Sequence, residues 1–127
     1  MEYGFSRVVP HTYEQAISRV TEELQKEGFG VLTSIDVKET LKKKLNVEFT
    51  KYIILGACNP PLAHRALQAE EQIGLLLPCN VVIYVKEEST VVAVFDPMLM
   101  ATVIAKEGVR PIAEEVKRRL ERVLAAV

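Results

Sequence analysis

The chain has 127 residues, of which 49% are hydrophobic and 26% are charged. This length and balance fit one globular domain, so we expect a single unit over residues 1–127. Sixteen basic and seventeen acidic residues leave a net charge of -1, which argues against nucleic acid as a partner. The longest apolar stretches fall short of the roughly 20 residues of a membrane helix, so no membrane partner is expected either.

The amino-terminal residues lack a basic leader followed by an apolar segment, which favours a cytoplasmic location. In a reducing compartment, two cysteines are expected to be free thiols and not a structural disulfide. The composition therefore predicts a soluble cytoplasmic domain whose stability comes from its apolar core.

The first strand and helix are predicted from the spacing of apolar residues, which changes from the period of a strand to that of a helix. Apolar residues alternate up to Val9, which is typical of a strand, and Pro10 closes it. Thr12 then begins a helix, because its hydroxyl can cap free amides while Gln15 reaches back. The apolar stripe of this helix comprises Tyr13, Ile17, Val20 and Leu24.

A second strand over residues 29–37 is predicted to have one apolar face that runs through Phe29, Val31 and Ile35. Asp36 caps the short helix that follows. We expect this helix to point Leu41 and Leu45 inward, with the adjacent lysines at 42–44 in solvent.

The run 52–58 is continuously apolar and is therefore interpreted as a central strand. Prolines 60 and 61 follow it. Because a residue before proline avoids helical angles, neither Asn59 nor Pro60 is expected to be helical, and Pro61 should begin a helix to about Gln72.

The remaining residues predict two strands and two helices. Strands over 80–85 and 91–95, joined by a charged loop, should pair antiparallel. Asp96 precedes a short helix over 98–105, and the last helix covers 111–126. The apolar stripe of the last helix comprises Ile112, Val116, Leu120 and Val123.

The predicted order is β-α-β-α-β-α-β-β-α-α. It favours an α+β two-layer sandwich of about five strands with helices packed on one face, since there is too little helix to cover both faces.

The two cysteines give the likeliest site, because each is followed by asparagine and adjoins a proline near the junction of a predicted strand and a turn. We call these the Cys-Asn segments. The candidate ligand-binding residues are Cys58, Asn59, Pro60, Pro78, Cys79 and Asn80. A helix start beside Cys58 would lower its thiol pKa, and each asparagine carries both a donor and an acceptor. The alternative is structural, with buried cysteines acting as small apolar groups and asparagines as turn residues.

No cofactor or metal is expected. The sequence has no Cys-x-x-Cys, His11 and His64 stand at no ligand spacing, and no glycine-rich phosphate loop is present. No arrangement of acid, base and nucleophile can be assembled, so an enzyme is the less favoured interpretation.

The chain resembles a known family through the two Cys-Asn segments and the residues around them. The matching residues are 54–60, Ala63, Ala66, Leu67, 74–80, Asp96 and Pro97. They resemble the family called domain of unknown function 302. The resemblance implies a small α+β domain similar in arrangement to the TATA-box-binding protein topology, and a homodimer. It does not imply DNA binding, and it identifies no catalytic residue.

Three functional hypotheses follow. The first is a non-enzymatic module in which the two segments converge on a small-molecule pocket, with a polar notch in an apolar wall. The second is a thiol redox or sulfur-carrier protein that uses Cys58 and Cys79. The third is an interaction protein whose function lies in its homodimer surface. The sequence leaves open whether the two segments meet, because that depends on how the chain returns after the helix.

Overall fold

The computed structural model describes residues 2–127. The strands are β1 (Gly4–Val9), β2 (Gly30–Asp36), β3 (Tyr52–Cys58), β4 (Cys79–Lys86) and β5 (Ser89–Phe95). The helices are α1 (Tyr13–Lys26), α2 (Val37–Leu45), α3 (Pro60–Ala69), α4 (Met98–Val103) and α5 (Arg110–Ala126). A 3-10 segment, Glu71–Leu76, lies between α3 and β4.

The five strands form one sheet in the order β1-β5-β4-β3-β2, and all neighbours are antiparallel. The buried residues of α1, α3, α4 and α5 pack against one face. The α+β class, the five-stranded sheet and the order of elements are thus confirmed. β3 and β4 are neighbours in the middle of the sheet. Because they are antiparallel, the last residues of β3 and the first residues of β4 lie at the same end of the sheet.

The core lies between the sheet and the helices. Every second residue of the central strands is buried there, as with Leu55 and Ala57 on β3 and Val81 and Ile83 on β4. α1 begins with the expected capping box between Thr12 and Gln15. α5 buries its whole predicted stripe, Ile112, Val116, Leu120 and Val123.

The predicted single apolar face of β2 is wrong, because a β-bulge interrupts the strand. Val31 pairs with Ala57, whereas Thr33 pairs with Gly56, so the register shifts between them. The bulge adds one residue, Leu32, and inverts the alternation that follows. Val31 therefore shares the helix-covered face, while Ile35 shares the other face with Ile54.

α2 also differs from the prediction. It buries none of its residues, and Leu45 is 65% exposed. Asp36 does cap the helix, since its carboxylate accepts a hydrogen bond from the Glu39 amide at 3.0 Å. The cap therefore forms where predicted, but the apolar side chains that follow it do not reach the core.

The connection between β4 and β5 is tighter than the predicted five-residue loop. The strands extend to Lys86 and from Ser89, and Glu87 and Glu88 both have positive φ, 51° and 68°. Left-handed conformation at both central residues is the mark of a two-residue hairpin turn.

The second sheet face, which carries no helix layer, is here called the open face. Its members alternate with the core residues and pair across the strands. They include Ser6, Val8, Ile35, Tyr52, Ile54, Val82, Tyr84, Val91 and Ala93.

A candidate ligand cavity at the end of the central strands

The two Cys-Asn segments meet. Ala57 pairs with Cys79 and Gly56 pairs with Asn80, so the last residues of β3 face the first residues of β4. After β3 the chain runs through α3 and the 3-10 segment and returns to the same end of the sheet. The question left open by the sequence is therefore answered by the antiparallel pairing of these two strands.

Asn59 holds the start of α3. It is 5% exposed, and its side-chain Oδ1 accepts a hydrogen bond from the Leu62 amide at 3.3 Å. Its Nδ2 donates to the Glu27 carbonyl at 3.3 Å, which ties the helix start to the end of α1. Both ends of the carboxamide are thus engaged with backbone.

Residues near Asn59 were not singled out by the sequence. The Glu27 carbonyl also accepts from Arg119 Nη1 at 3.0 Å, so α5 joins the same junction. Gly28 has φ of 85°, and a β-carbon there would lie 2.9 Å from Asn59 Nδ2. Glycine at the end of a helix is a routine stop signal, so nothing in the sequence links it to Asn59.

Pro60 is the first residue of α3, so the expectation that it is not helical was wrong. The first helical position needs no intrahelical amide, and the fixed φ of proline suits it. Only Asn59 keeps the extended angles that a residue before proline prefers, with φ -101° and ψ 102°. The helix ends at Ala69 and not near Gln72, and the 3-10 segment covers residues 71–76.

A cavity of about 320 Å³ opens beside the meeting point of the two segments. Cys58, Asn59, Pro78 and Cys79 line it, whereas Pro60 and Asn80 do not. Pro60 is exposed on the helix, and Asn80 is exposed in the row of the sheet that contains Gly56. Four of the six predicted site residues are therefore brought together.

The rest of the cavity wall is apolar. The bulge residue Leu32 lines it with 67% of its surface exposed. The helices contribute Leu62, Ala63, Ala66, Leu67, Met100, Ile112 and Val116. None of the lining residues found within 2–127 carries a charge. Sequence patterns interpreted Ile112 and Val116 as core positions, since an apolar stripe looks the same whether it packs fully or borders a void.

Both cysteines are free thiols, and burial disfavours their ionisation. Desolvation raises the pKa of the half-buried Cys58. Burial, followed by the nearby Cys58 thiol, raises the pKa of Cys79 to about 12. The predicted lowering of the Cys58 pKa by the start of α3 is thus wrong, because loss of solvent around the thiol shifts its pKa upward.

Gly56 allows the two central strands and β2 to approach closely. A β-carbon there would collide with the Thr33 side-chain hydroxyl and would lie 2.7 Å from Pro78 Cγ. Glycine at this position therefore lets Pro78 close one side of the cavity.

Within residues 2–127, no group of three or more His, Cys, Asp or Glu side chains is placed to hold a metal ion. A search of the helices in the same range finds none that is long and apolar enough to cross a membrane.

Comparison with known proteins identifies the family. No curated protein matches the chain. A solved structure described as the crystal structure of the uncharacterized conserved protein DUF302 from Bacillus stearothermophilus matches with a TM-score of 0.93 and 30% sequence identity. The match covers 99% of this chain and 98% of that one. A family model described as domain of unknown function DUF302 matches residues 5–127, and the chain belongs to this family.

Proposed function

We propose that this protein is a non-enzymatic module that binds a small molecule in the cavity between the Cys-Asn segments and helices α3 to α5. The observation that carries the proposal is the cavity of about 320 Å³ at the point where both segments meet. Its size lies at the lower end of the range of small-molecule sites, roughly 300 to 1,000 Å³.

The two asparagines do not act as the matched pair that was expected to form a polar notch. Asn59 hydrogen bonds to Leu62 and Glu27 backbone groups, and Asn80 lies outside the cavity lining. The support for a ligand therefore comes from the apolar cavity itself, with Asn59 as the group that fixes one wall.

The state of the thiols favours binding over the alternative of thiol redox or sulfur-carrier chemistry. A nucleophilic cysteine needs a thiolate, and such thiolates occur where nearby positive charge or helix amides lower the pKa. Here the pKa is raised at Cys58 and reaches about 12 at Cys79. Both groups therefore favour the neutral form in which cysteine packs as a small apolar residue.

The proposal is tested by methyl NMR of the labelled protein, titrated with three unlike probes: 1-octanol, octanoate and adenosine. We expect saturable shifts of Leu62, Ile112 and Val116 methyls with at least one probe. The variant Ala63→Leu, which enlarges a half-buried lining residue of α3, should weaken that binding. The matched control Ala125→Leu, at an exposed site on α5, should leave it unchanged.

If none of the three probes gives saturable shifts at these methyls, or if Ala63→Leu binds as tightly as the wild type, the binding proposal fails. Circular dichroism of both variants verifies that each is folded before it is titrated.

A second candidate function is self-association through the open face. The central rows of this face carry no charged side chain, and Tyr52 and Tyr84 stack on it with ring centroids 5.2 Å apart. Val8 and Ile35, on the two edge strands, remain 62% and 48% exposed. An uncharged apolar face of this kind is unusual on a monomer.

The size of the open face suits a second copy of the chain. Five strands at about 4.8 Å and six residues at about 3.4 Å give roughly 24 by 20 Å, on the order of 500 Å². Two copies packed face to face would cover about 1,000 Å², near the lower limit for a specific interface. Phe49, which is 42% exposed, extends this apolar surface, with its ring centroid 6.3 Å from that of Tyr52.

Light scattering after gel filtration, across micromolar concentrations, tests this candidate. We expect a dimer, with Val82→Glu at the centre of the open face giving a monomer. Val103→Glu, at an exposed position of α4, should remain dimeric. A wild-type protein that stays monomeric throughout would exclude the dimer and leave the cavity proposal untouched.

A further inference from the structure

The cavity has a chemical character that narrows its occupant. It includes seven aliphatic or thioether side chains from the helices, and its two thiols favour the neutral form. Asn59, the lining residue with a carboxamide, already has its Oδ1 and Nδ2 engaged. One N–H of Nδ2 and one lone pair of Oδ1 are all that this side chain can still offer. A charged or strongly polar ligand would therefore lose most of its hydrogen bonds to water, at a cost that apolar ligands do not incur.

The cation at the junction of Glu27 and Asn59 does not change this preference for apolar ligands. Arg119 reaches the junction at Glu27 and Asn59, but its Nε donates to Glu115 Oε2 at 2.7 Å and its Nη1 donates to the Glu27 carbonyl at 3.0 Å. It does not line the cavity. Its charge is already paired with the Glu115 carboxylate, so it attracts a carboxylate ligand less than an unpaired cation would.

The entrance is apolar as well. Leu32 and Leu67, both lining residues, are 67% and 41% exposed, and Leu75, next to the lining residue Gly74, is 85% exposed. Leu32 and Leu67 line the same concave site, and exposed apolar side chains that share such a site favour apolar ligands, whereas single scattered ones are ordinary.

We infer that the cavity selects an uncharged, hydrocarbon-like molecule with on the order of ten carbon atoms. This inference rests on the proposed function and names the ligand class for the same site. The size follows from a comparison of volumes: an apolar cavity of about 150 Å³ holds benzene, and the present one is about 320 Å³. Two rings, or one alkyl chain of about ten carbons, fit this space.

The test is a series of 1-alkanols from four to twelve carbons, titrated by methyl NMR into the full chain. Each added methylene buries more apolar surface, so affinity should rise about fourfold per carbon. The rise should stop near ten carbons, where further carbons extend past the entrance. Alkanoates of equal length should bind more weakly than the alkanols, because their charge finds no free partner.

The variant Ala63→Leu sharpens the test. Its side chain adds three carbon atoms to the wall, so the plateau should move to chains about three carbons shorter. Ala66→Leu, on the same helix but buried, is a second filling variant that should shift the plateau in the same direction. Ala125→Leu should retain the wild-type plateau, as should Ile35→Ser, which removes an exposed apolar side chain from the open face.

The outcomes separate the two levels of the proposal. Affinity that is independent of chain length, or alkanoates that bind more tightly than alkanols, would overturn the hydrocarbon inference while a ligand site remains. Tight binding of adenosine with no alkanol binding would do the same. A complete lack of saturable binding by alkanols, alkanoates and adenosine would remove the site itself.

Discussion

The two Cys-Asn segments have the same residue pair but opposite environments. In the first, Cys58 is half-buried and Asn59 is buried and capped onto α3. In the second, Cys79 is 5% exposed within the core, and Asn80 is exposed. The difference arises because Cys79 and Asn80 both lie on β4, where successive side chains alternate faces, whereas Asn59 follows the end of β3.

A repeated dipeptide therefore does not define a repeated structural role. Position relative to the strand end decides which member is buried, and the burial then decides its chemistry. Chemical labelling and substitution of residues in the two segments, and of their neighbours, test this difference.

The largest expected effect is on thiol reactivity. With the pKa of Cys79 raised from 9.0 to about 12, its thiolate fraction near neutral pH falls about a thousandfold. Iodoacetamide labelling followed by mass spectrometry should therefore modify Cys58 first and leave Cys79 intact. In urea, the two should react at similar rates. Equal labelling of both thiols in the folded protein would contradict the assigned burial.

The asparagines should differ in stability. Asn59→Ala removes the cap of α3 and leaves the buried Leu62 amide unpaired, so we expect a loss of about 2–3 kcal/mol in the free energy of unfolding. Asn80→Ala, at an exposed position, should change it by no more than about 0.5 kcal/mol. Urea unfolding measures both. Similar costs for the two substitutions would show that the segments are equivalent after all.

The glycines on the paired strands around the site provide a matched pair. Gly56→Ala forces a β-carbon against Thr33 and Pro78, and should cost about 1–2 kcal/mol. Gly30→Ala, where no atom lies within 4 Å of the new β-carbon, should be nearly neutral. Urea midpoints of the two variants decide the matter, and a neutral Gly56→Ala would show that Pro78 does not close the wall as described.

The smallest effect concerns surface charges near the Asn59 junction. Hydrogen bonds from Arg119 and Arg118 hold the pKa of Glu115 at about 2, and Arg122 lowers the pKa of Glu27. A carboxyl group with a depressed pKa stabilises the fold above its ordinary value of 4.5, and that stability is lost as the pH falls toward about 2.

We therefore expect a modest decrease in melting temperature between about pH 4.5 and pH 2, reduced at high salt because these groups are partly exposed. Glu115→Gln should show a smaller decrease over the same range. A melting temperature that rises on acidification would mean that the ion pairs are not formed as described.

Much of the fold could be predicted because its signals are local. The capping box at Thr12, the continuous apolar run of β3 and the stripe of α5 each depend on neighbours in sequence. The bulge at Leu32 and the unpacked face of α2 could not be predicted, because both depend on how distant strands pair. An alternating pattern carries no mark of an extra residue, and a leucine spacing fits a buried or an exposed helix face equally well.

The position of the cavity could be predicted from the sequence, but its lining could be predicted only in part. Cys58, Asn59, Pro78 and Cys79 were singled out and do line one cavity. Pro60 and Asn80 were included on the assumption that sequence neighbours share a site, which helix geometry and strand alternation both defeat. Met100 and Ile112 reach the cavity from distant parts of the chain, so only tertiary structure reveals them.

The most direct test of the central claim is a crystal structure of the protein under xenon pressure, because xenon enters apolar cavities without requiring any polar contact. We expect a xenon peak in the space lined by Ala57, Cys79 and Ile112. A structure in which the protein's own side chains fill this space, or in which hydrogen-bonded waters occupy it under xenon, would contradict the claim that the two Cys-Asn segments build an apolar binding cavity.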